Sequence, residues 1–311
     1  MLTPLFVVPL LLPFLLGPAA NRVMAWARPA TALWILTAGA LALALASVVS
    51  LGALSLTGLL LVPAFARMGH LVHPLCTPSP PMVVGAAVVS SGTLALGAFA
   101  LGRAAVRHGR SLRAAHRQAA SLPMAGDLCV VHSPHPDAYA LPGSPNRIVV
   151  TTSMLRLLGA PEREVLFAHE RAHNAGRHHY FLAVAEFAAH CHPALRAVRG
   201  VIRLAAERAA DEAAARILGD RKLVARAVAR AALAGQNGGE SMRPHLAPGA
   251  TSGPVPRRVA ALLAPPSRSA LRPRSLALVV AVAVSLSMGV AVTGLAHMSH
   301  EVGEARGTVA R

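Results

Sequence analysis

His169, Glu170 and His173 stand in the run Ala168-His169-Glu170-Arg171-Ala172-His173-Asn174, an H-E-x-x-H spacing in a chain that has only nine Glu among 311 residues. Multiplying the chain's own His and Glu frequencies over its length gives roughly 0.02 chance occurrences, so the spacing asks for a chemical reason. On a helix, side chains four residues apart share a face. Two neutral imidazoles then reach one metal ion while Glu170, one step round, faces the open coordination position. The chemistry expected of such a group is zinc-assisted peptide hydrolysis. The Zn2+ acts as Lewis acid, and Glu170 takes a proton from water as it attacks a carbonyl, then hands it to the leaving amine.

Two imidazoles leave a catalytic zinc one protein ligand short. The sequence offers two ways to supply it. Glu207 lies on a predicted helix with Asp211 one turn further, in the run Glu207-Arg208-Ala209-Ala210-Asp211. Glu207 would complete the metal sphere and Asp211 would accept a hydrogen bond from a ligand imidazole, fixing its tautomer. Alternatively, His169 to His179 also fits H-E-x-x-H-x-x-G-x-x-H, with Gly176 at the turn, His179 as third ligand and Met242 placed much as in a Met-turn. That second arrangement leaves Glu207 and Asp211 without a role. His178, His190 and His192 are expected as exposed or hydrogen-bonded imidazoles, and Glu186 as a helix-surface residue.

The elements that must hold these groups are legible around them. Leu128 to Val131 and Ile148 to Thr152 are short β-branched runs separated by Pro134, Pro136, Pro142, Gly143 and Pro145, which predicts a small sheet. Main-chain pairing along a sheet edge would present a substrate in fixed geometry, and Ile148, Val149, Val150, Thr151 and Thr152 are the expected edge. Pro161 suits a first helical turn and Glu162 and Glu164 complement its positive end, placing the H-E-x-x-H on a helix. Further helices are predicted from His179 to His190, Ala194 to Leu218, Asp220 to Ala234 with Asp220 as N-cap, and a short one near Arg257 to Leu263; Gly235 to Pro256 reads as loop.

The rest of the chain is written for a different solvent. Its composition is 54% hydrophobic with 4% aromatics, outside the habit of soluble domains. No acidic residue precedes Asp127, and eight of the thirteen lie between Glu162 and Asp220. The net charge of +17 comes almost wholly from Arg, without interleaved aromatics and often flanking apolar runs, which argues against direct nucleic-acid binding. Cys76, Cys129 and Cys191 are too few and scattered for a disulfide framework and read as small hydrophobes. Apolar stretches occupy Leu2 to Leu16, Pro29 to Ala66, Met82 to Leu101, and Ser275 to about His297, and about 20 residues cross the hydrocarbon layer. The first lacks a preceding Lys or Arg and reads as a retained span rather than a cleaved signal. The second is expected as one span with an interfacial extension over Gly52 to Phe65. Arg22, Arg28, the series Arg103, Arg107, Arg110, Arg113 and Arg117, and Arg268, Arg272 and Arg274 then mark the cytoplasmic side.

The expected fold class is therefore an integral membrane, mainly α protein: four transmembrane helices plus a small α+β zincin-like catalytic domain inserted between the third and fourth spans. The divisions are residues 1–102 (three spans), 103–126 (basic juxtamembrane linker), 127–264 (peptidase) and 265–311 (linker, fourth span, tail). Both termini lie outside and the catalytic segment lies in the cytosol. Gly92, Gly97 and Gly102 permit close helix packing, compatible with a homo-oligomer. The spans hold no ionisable residue near mid-membrane, unlike a conduction pathway.

A cytosolic H-E-x-x-H followed by E-x-x-x-D, between a third and fourth span and preceded by Ala138-Tyr139-Ala140-Leu141 and Ile148 to Thr152, resembles the BlaR/MecR-type membrane metallopeptidases over nearly the whole chain. The resemblance implies a gluzincin-like bacterial inner-membrane endopeptidase with Zn2+ held by His169, His173 and Glu207, Glu170 as general base and Asp211 behind a ligand. It implies a protein or peptide substrate such as a BlaI/MecI-like repressor, cleaved in regulated proteolysis or signalling. Two features depart from the pattern. Similar proteins often carry Arg-Arg-Asp where this chain has Gly176-Arg177-His178, and only about 14 residues follow the expected last span, too few for a penicillin-binding sensor domain. A housekeeping or prenyl-type H-E-x-x-H membrane protease would share the site. A non-catalytic membrane signal transducer would require a degenerate one, whereas every expected group is present.

Overall fold

The computed structural model describes residues 3–62, 80–121, 124–236 and 254–265, with isolated positions at 285, 289 and 300. The first apolar stretch forms two helices, α1 (Thr3–Leu11) and α2 (Pro13–Trp26), that part at Leu12. Pro13 has no N–H to offer the carbonyl of Pro9, four residues back. The Ser47 hydroxyl of α3 (Pro29–Leu60) shares its one proton between Leu43 O at 2.8 Å and Pro9 O at 3.3 Å, a weak substitute for the lost bond. The second stretch is one unbroken helix of 32 residues through Leu60, so most of the expected interfacial extension continues it instead. The third stretch and the basic segment form a single 41-residue helix, α4 (Pro80–Ala120).

Four spans were expected; two helices among the described residues, α3 and α4, are long and apolar enough to cross a membrane. The proline break keeps α1 and α2 short. The stretch from Ser275 to His297 lies, but for residues 285 and 289, outside the described residues. The two candidate membrane helices differ in company. α3 is half-buried, its small residues turned inward, and a Cβ added at Gly58 would fall 2.1 Å from Ala87 Cβ of α4, so this crossing requires glycine. α4 shows Met82, Val88, Val89, Leu96 and Phe99 to the outside, each about two-thirds exposed.

The sheet holds β1 (Met124–Ala125), β2 (Leu128–Val131), β3 (Ala138–Leu141) and β4 (Arg147–Thr151) in the order β1-β2-β4-β3. Gly126, at φ +66°, makes the β1–β2 turn. β2 runs parallel to β4, aligning Cys129 with Val149, and β3 runs antiparallel to β4, aligning Tyr139 with Val149. The expected edge is therefore corrected: Ile148 to Thr151 lie on a central strand whose backbone is paired on both sides, and Thr152 already opens α5 (Thr152–Leu157). The extra strand, β3, takes the outer place. Alternation sends Cys129, Val131, Tyr139, Leu141 and Val149 towards Ala115 and Ala119 of α4, and Ala138 and Val150 towards Met154 and Leu166.

The remaining helices are α6 (Ala160–Ala175), α7 (His178–Cys191), α8 (Leu195–Leu218), α9 (Arg221–Gln236) and α10 (Val255–Leu263). Glu162 Oε2 accepts from the Gly159 N–H at 3.0 Å at the start of α6, and Asp220 Oδ1 accepts from the Leu223 N–H at 2.9 Å at the start of α9. Burial pushes the Glu162 carboxyl up, but the Gly159 N–H and the Arg230 guanidinium outweigh it and hold the group below its ordinary range. Leu16, Val23, Leu33, Leu36 and Leu43 of the N-terminal helices form one apolar cluster with Phe181 and Leu182 of α7 and Val198 and Ile202 of α8. α7 and α8, which bring His178 and Glu207 to the site, thus rest directly on α2 and α3.

Candidate metal centre

α6 and α8 face one another across a seam of small residues. Ala214 is completely buried against Val165 and Ala168 of α6, and so slight a side chain lets α8 approach closely enough for its longer residues to reach α6. Glu207 and Asp211, four apart, lie on that approaching face and are buried with His169, Glu170 and His173. His169 Nε2 lies 3.1 Å from His173 Nε2 and 3.4 Å from Glu207 Oε2, and His173 Nε2 lies 3.6 Å from the same oxygen. Among the described residues these form a group of three side chains able to hold one metal ion.

The spacing tests the metal. Ligand atoms 2.0–2.1 Å from a tetrahedral zinc are about 3.3 Å apart, and the three separations of 3.1, 3.4 and 3.6 Å bracket that value. Two imidazole nitrogens and a carboxylate oxygen are also the donor set such an ion takes in hydrolases. The residues fit.

Residues 101–191 match the family model described as Peptidase family M48. Over that segment, which holds the H-E-x-x-H helix, the chain is similar to this family, and with the group of His169, His173 and Glu207 it is a zinc metallopeptidase. No curated protein and no solved structure matches it. The matched M48 segment ends at Cys191, before Glu207, so the third donor of the peptidase site comes from geometry rather than from the match.

Each imidazole of the site has a partner behind it. His169 Nδ1 lies 3.1 Å from Asp211 Oδ1. Burial drives this imidazole down, but the hydrogen bonds to Asp211 and Glu207 outweigh it and raise the group to about 9. Asp211 was expected in this place. His173 Nδ1 instead meets His178 Nδ1 at 2.8 Å, a partner that the sequence reading treated as an ordinary imidazole. If His173 offers Nε2 to the metal, its proton sits on Nδ1 and donates to His178 Nδ1, which leaves the His178 proton on Nε2. Burial and the neighbouring His173 push His178 down to about 3, so it stays neutral; burial likewise lowers His173.

The turn between α6 and α7 makes this possible. Arg177 adopts a left-handed conformation, φ 50°, which costs a non-glycine residue about 1–2 kcal/mol. A Cβ on Gly176 would stand 2.5 Å from His178 Nε2, so the glycine makes room for the ring. The same turn removes the alternative ligand. His179 lies half-buried with its ring against Tyr180 and, among the described residues, stands outside the group of His169, His173 and Glu207, correcting the H-x-x-G-x-x-H expectation; Met242 lies outside the described residues.

A second group escaped the sequence reading. Arg258 of α10 is wholly buried, its Nε and Nη2 donating to Asp211 Oδ2 and Oδ1 at 2.8 and 2.7 Å while Nη1 lies 3.1 Å from Glu207 Oε2. Burial would raise both carboxyls, but the Arg258 charge overcomes it and holds both below the ordinary range, Glu207 well below. The signal lay in α10's pattern: Arg258 occupies a position in the stripe Val255, Val259 and Leu262, where an apolar residue belongs.

Proposed function

We propose that this zinc metallopeptidase is a membrane-bound endopeptidase, with residues 127–264 as its peptidase segment, cleaving a protein at the cytoplasmic face in regulated proteolysis. The observation that carries the chemistry is the triangle of His169 Nε2, His173 Nε2 and Glu207 Oε2, with Glu170 buried next to His169 on the same helix. His169, His173 and Glu207 would hold Zn2+ there, and the ion would supply Lewis acidity towards a peptide carbonyl and water. Glu170 accepts the proton of the attacking water and returns it to the leaving amine. Asp211 and His178 fix the tautomers of the two imidazoles so that both turn Nε2 to the same point.

Support for the membrane comes from α4, whose exposed apolar residues up to Phe99 give way to Arg103, Arg107, Arg110, Arg113 and Arg117. Arg103 lies over the Phe99 ring at 5.6 Å, an aromatic and a cation meeting where lipid chains would end and headgroups begin. The substrate is a protein of the BlaI/MecI-like repressor kind in this reading. A housekeeping membrane protease would use the same residues on other substrates.

Glu170→Gln tests the mechanism. The variant should keep one zinc per chain and lose activity on an unfolded protein substrate by about 10²–10⁴-fold. Undiminished cleavage would remove Glu170 from the reaction. Limited proteolysis of oriented membrane vesicles tests the side, because only cytoplasm-side protease should reach residues 127–264.

A further inference from the structure

Five charged groups could share the space around the ligand triangle: the carboxylates Glu170, Glu207 and Asp211, the guanidinium of Arg258, and the divalent ion that the triangle fits. All four side chains are buried. Three buried carboxylates beside one guanidinium need further positive charge, because charges removed from water must be paired. The count closes at neutrality when Arg258 and a divalent cation are both present. Geometry says the same. The guanidinium grips both oxygens of Asp211 and also reaches the Glu207 oxygen that completes the triangle, so one planar group sets the separation of the third ligand from the carboxylate behind His169. Arg258 arrives from α10, 47 residues beyond Asp211, and the peptide carbonyls of Ala261 and Leu262 are clasped by Arg221 of α9 at 2.9 and 3.0 Å. The helix that delivers it is thereby held in place.

We infer that Arg258 is a positioning residue of the metal centre, holding Glu207 and Asp211 in one rigid unit so that the third ligand and the partner of His169 are set together. It is not one of the triangle's three donors and acts through Glu207 and Asp211. Lysine cannot replace it, since one ammonium cannot form the fork to Asp211 while also reaching Glu207. The inference rests on zinc being held by His169, His173 and Glu207.

The test uses the full-length protein, stripped with a chelator and titrated with Zn2+ against a competing chelator, then with Co2+ to read the visible bands of a tetrahedral site. Arg258→Lys should fold, bind zinc about 10–100-fold more weakly, and show shifted cobalt bands. The double variant Arg258→Gln with Asp211→Asn, which removes both charges and keeps similar volumes, should also fold and should bind as weakly as Arg258→Lys or more so. The neighbouring exposed Arg257→Lys should change nothing. Zinc affinity and cobalt bands equal to wild type in both Arg258 variants would overturn the positioning role. Failure of both to fold even with saturating zinc would assign Arg258 to the scaffold and overturn it too. If wild type itself binds no zinc, the metal reading fails, an outcome distinct from these.

Discussion

The two ligand imidazoles of this site are held in opposite ways. His169 is backed by a charged chain, Asp211 and then Arg258, running across three helices. His173 is backed by a neutral partner, His178, from just past the end of its own helix. Both supports orient a ring by holding its Nδ1, but they differ in what a broken link leaves behind. Cutting the charged chain strands a buried ion, whereas cutting the neutral one leaves at most an unpaired N–H. Orientation is the shared purpose; the dependence of the fold on it is not shared.

The largest effect should come from removing what both arms serve. Glu207→Ala opens the triangle on both sides, and zinc content measured on the purified protein should fall from one per chain to near zero, with proteolysis lost. Next comes Asp211→Asn, which leaves Arg258 facing a neutral amide. It should lower unfolding stability by about 3–5 kcal/mol and weaken zinc towards the 100-fold end of the outer-partner range, read by thermal unfolding and chelator competition. The Asp211 carboxyl lies below its ordinary 3.8 in the fold. Its contribution is therefore fully present above about pH 4 and fades as pH falls through the depressed value. The stability gap between wild type and Asp211→Asn should shrink in acid and, in the metal-free protein, should also shrink as pH rises towards about 9, where the His169 charge that Asp211 supports is lost.

His178→Ala should cost less, about 1–3 kcal/mol of stability and zinc affinity nearer the tenfold end. Equal losses for Asp211→Asn and His178→Ala would erase the distinction between the arms. The smallest and sharpest test is Gly176→Ala, whose methyl group would crowd His178 from 2.5 Å. It should weaken zinc no more than His178→Ala does, and combining the two should add nothing to the affinity loss, because both act through one ring. Additive losses would show that Gly176 matters for some other reason.

What could be read in the sequence follows the same division. The His169 arm was legible because its parts obey helical spacing: His169 with His173, and Glu207 with Asp211, each four apart. Chemistry offered Glu207 beside His179 as the third ligand, and the family resemblance favoured Glu207. The His173 arm was not, since His178 lies five residues on and reaches back only through a left-handed Arg177, a conformation that no pattern of side-chain types announces. The place where Gly176-Arg177-His178 departs from Arg-Arg-Asp was visible, but its consequence needed coordinates. Arg258 was hidden by distance and by its setting in a basic segment, where one more arginine reads as solvated. Of the fold, the helix starts at Pro161 and Asp220 and the β-branched runs were plain. Strand order was not, because β-branched runs announce strands without saying which are neighbours, and Ile148 to Thr151 became central when Ala138 to Leu141 took the outside. Apolar length likewise overstated the first span, where Pro13 divides the run.

The central claim is one zinc ion bound by two imidazoles and one carboxylate. X-ray absorption at the zinc edge of the purified full-length protein reads that shell directly. It should show one zinc per chain with two imidazoles in a tetrahedral shell of nitrogen and oxygen donors at about 2.0–2.2 Å, and Glu207→Ala should empty it. A shell of three imidazoles, or zinc retained at full occupancy in Glu207→Ala, would contradict the account.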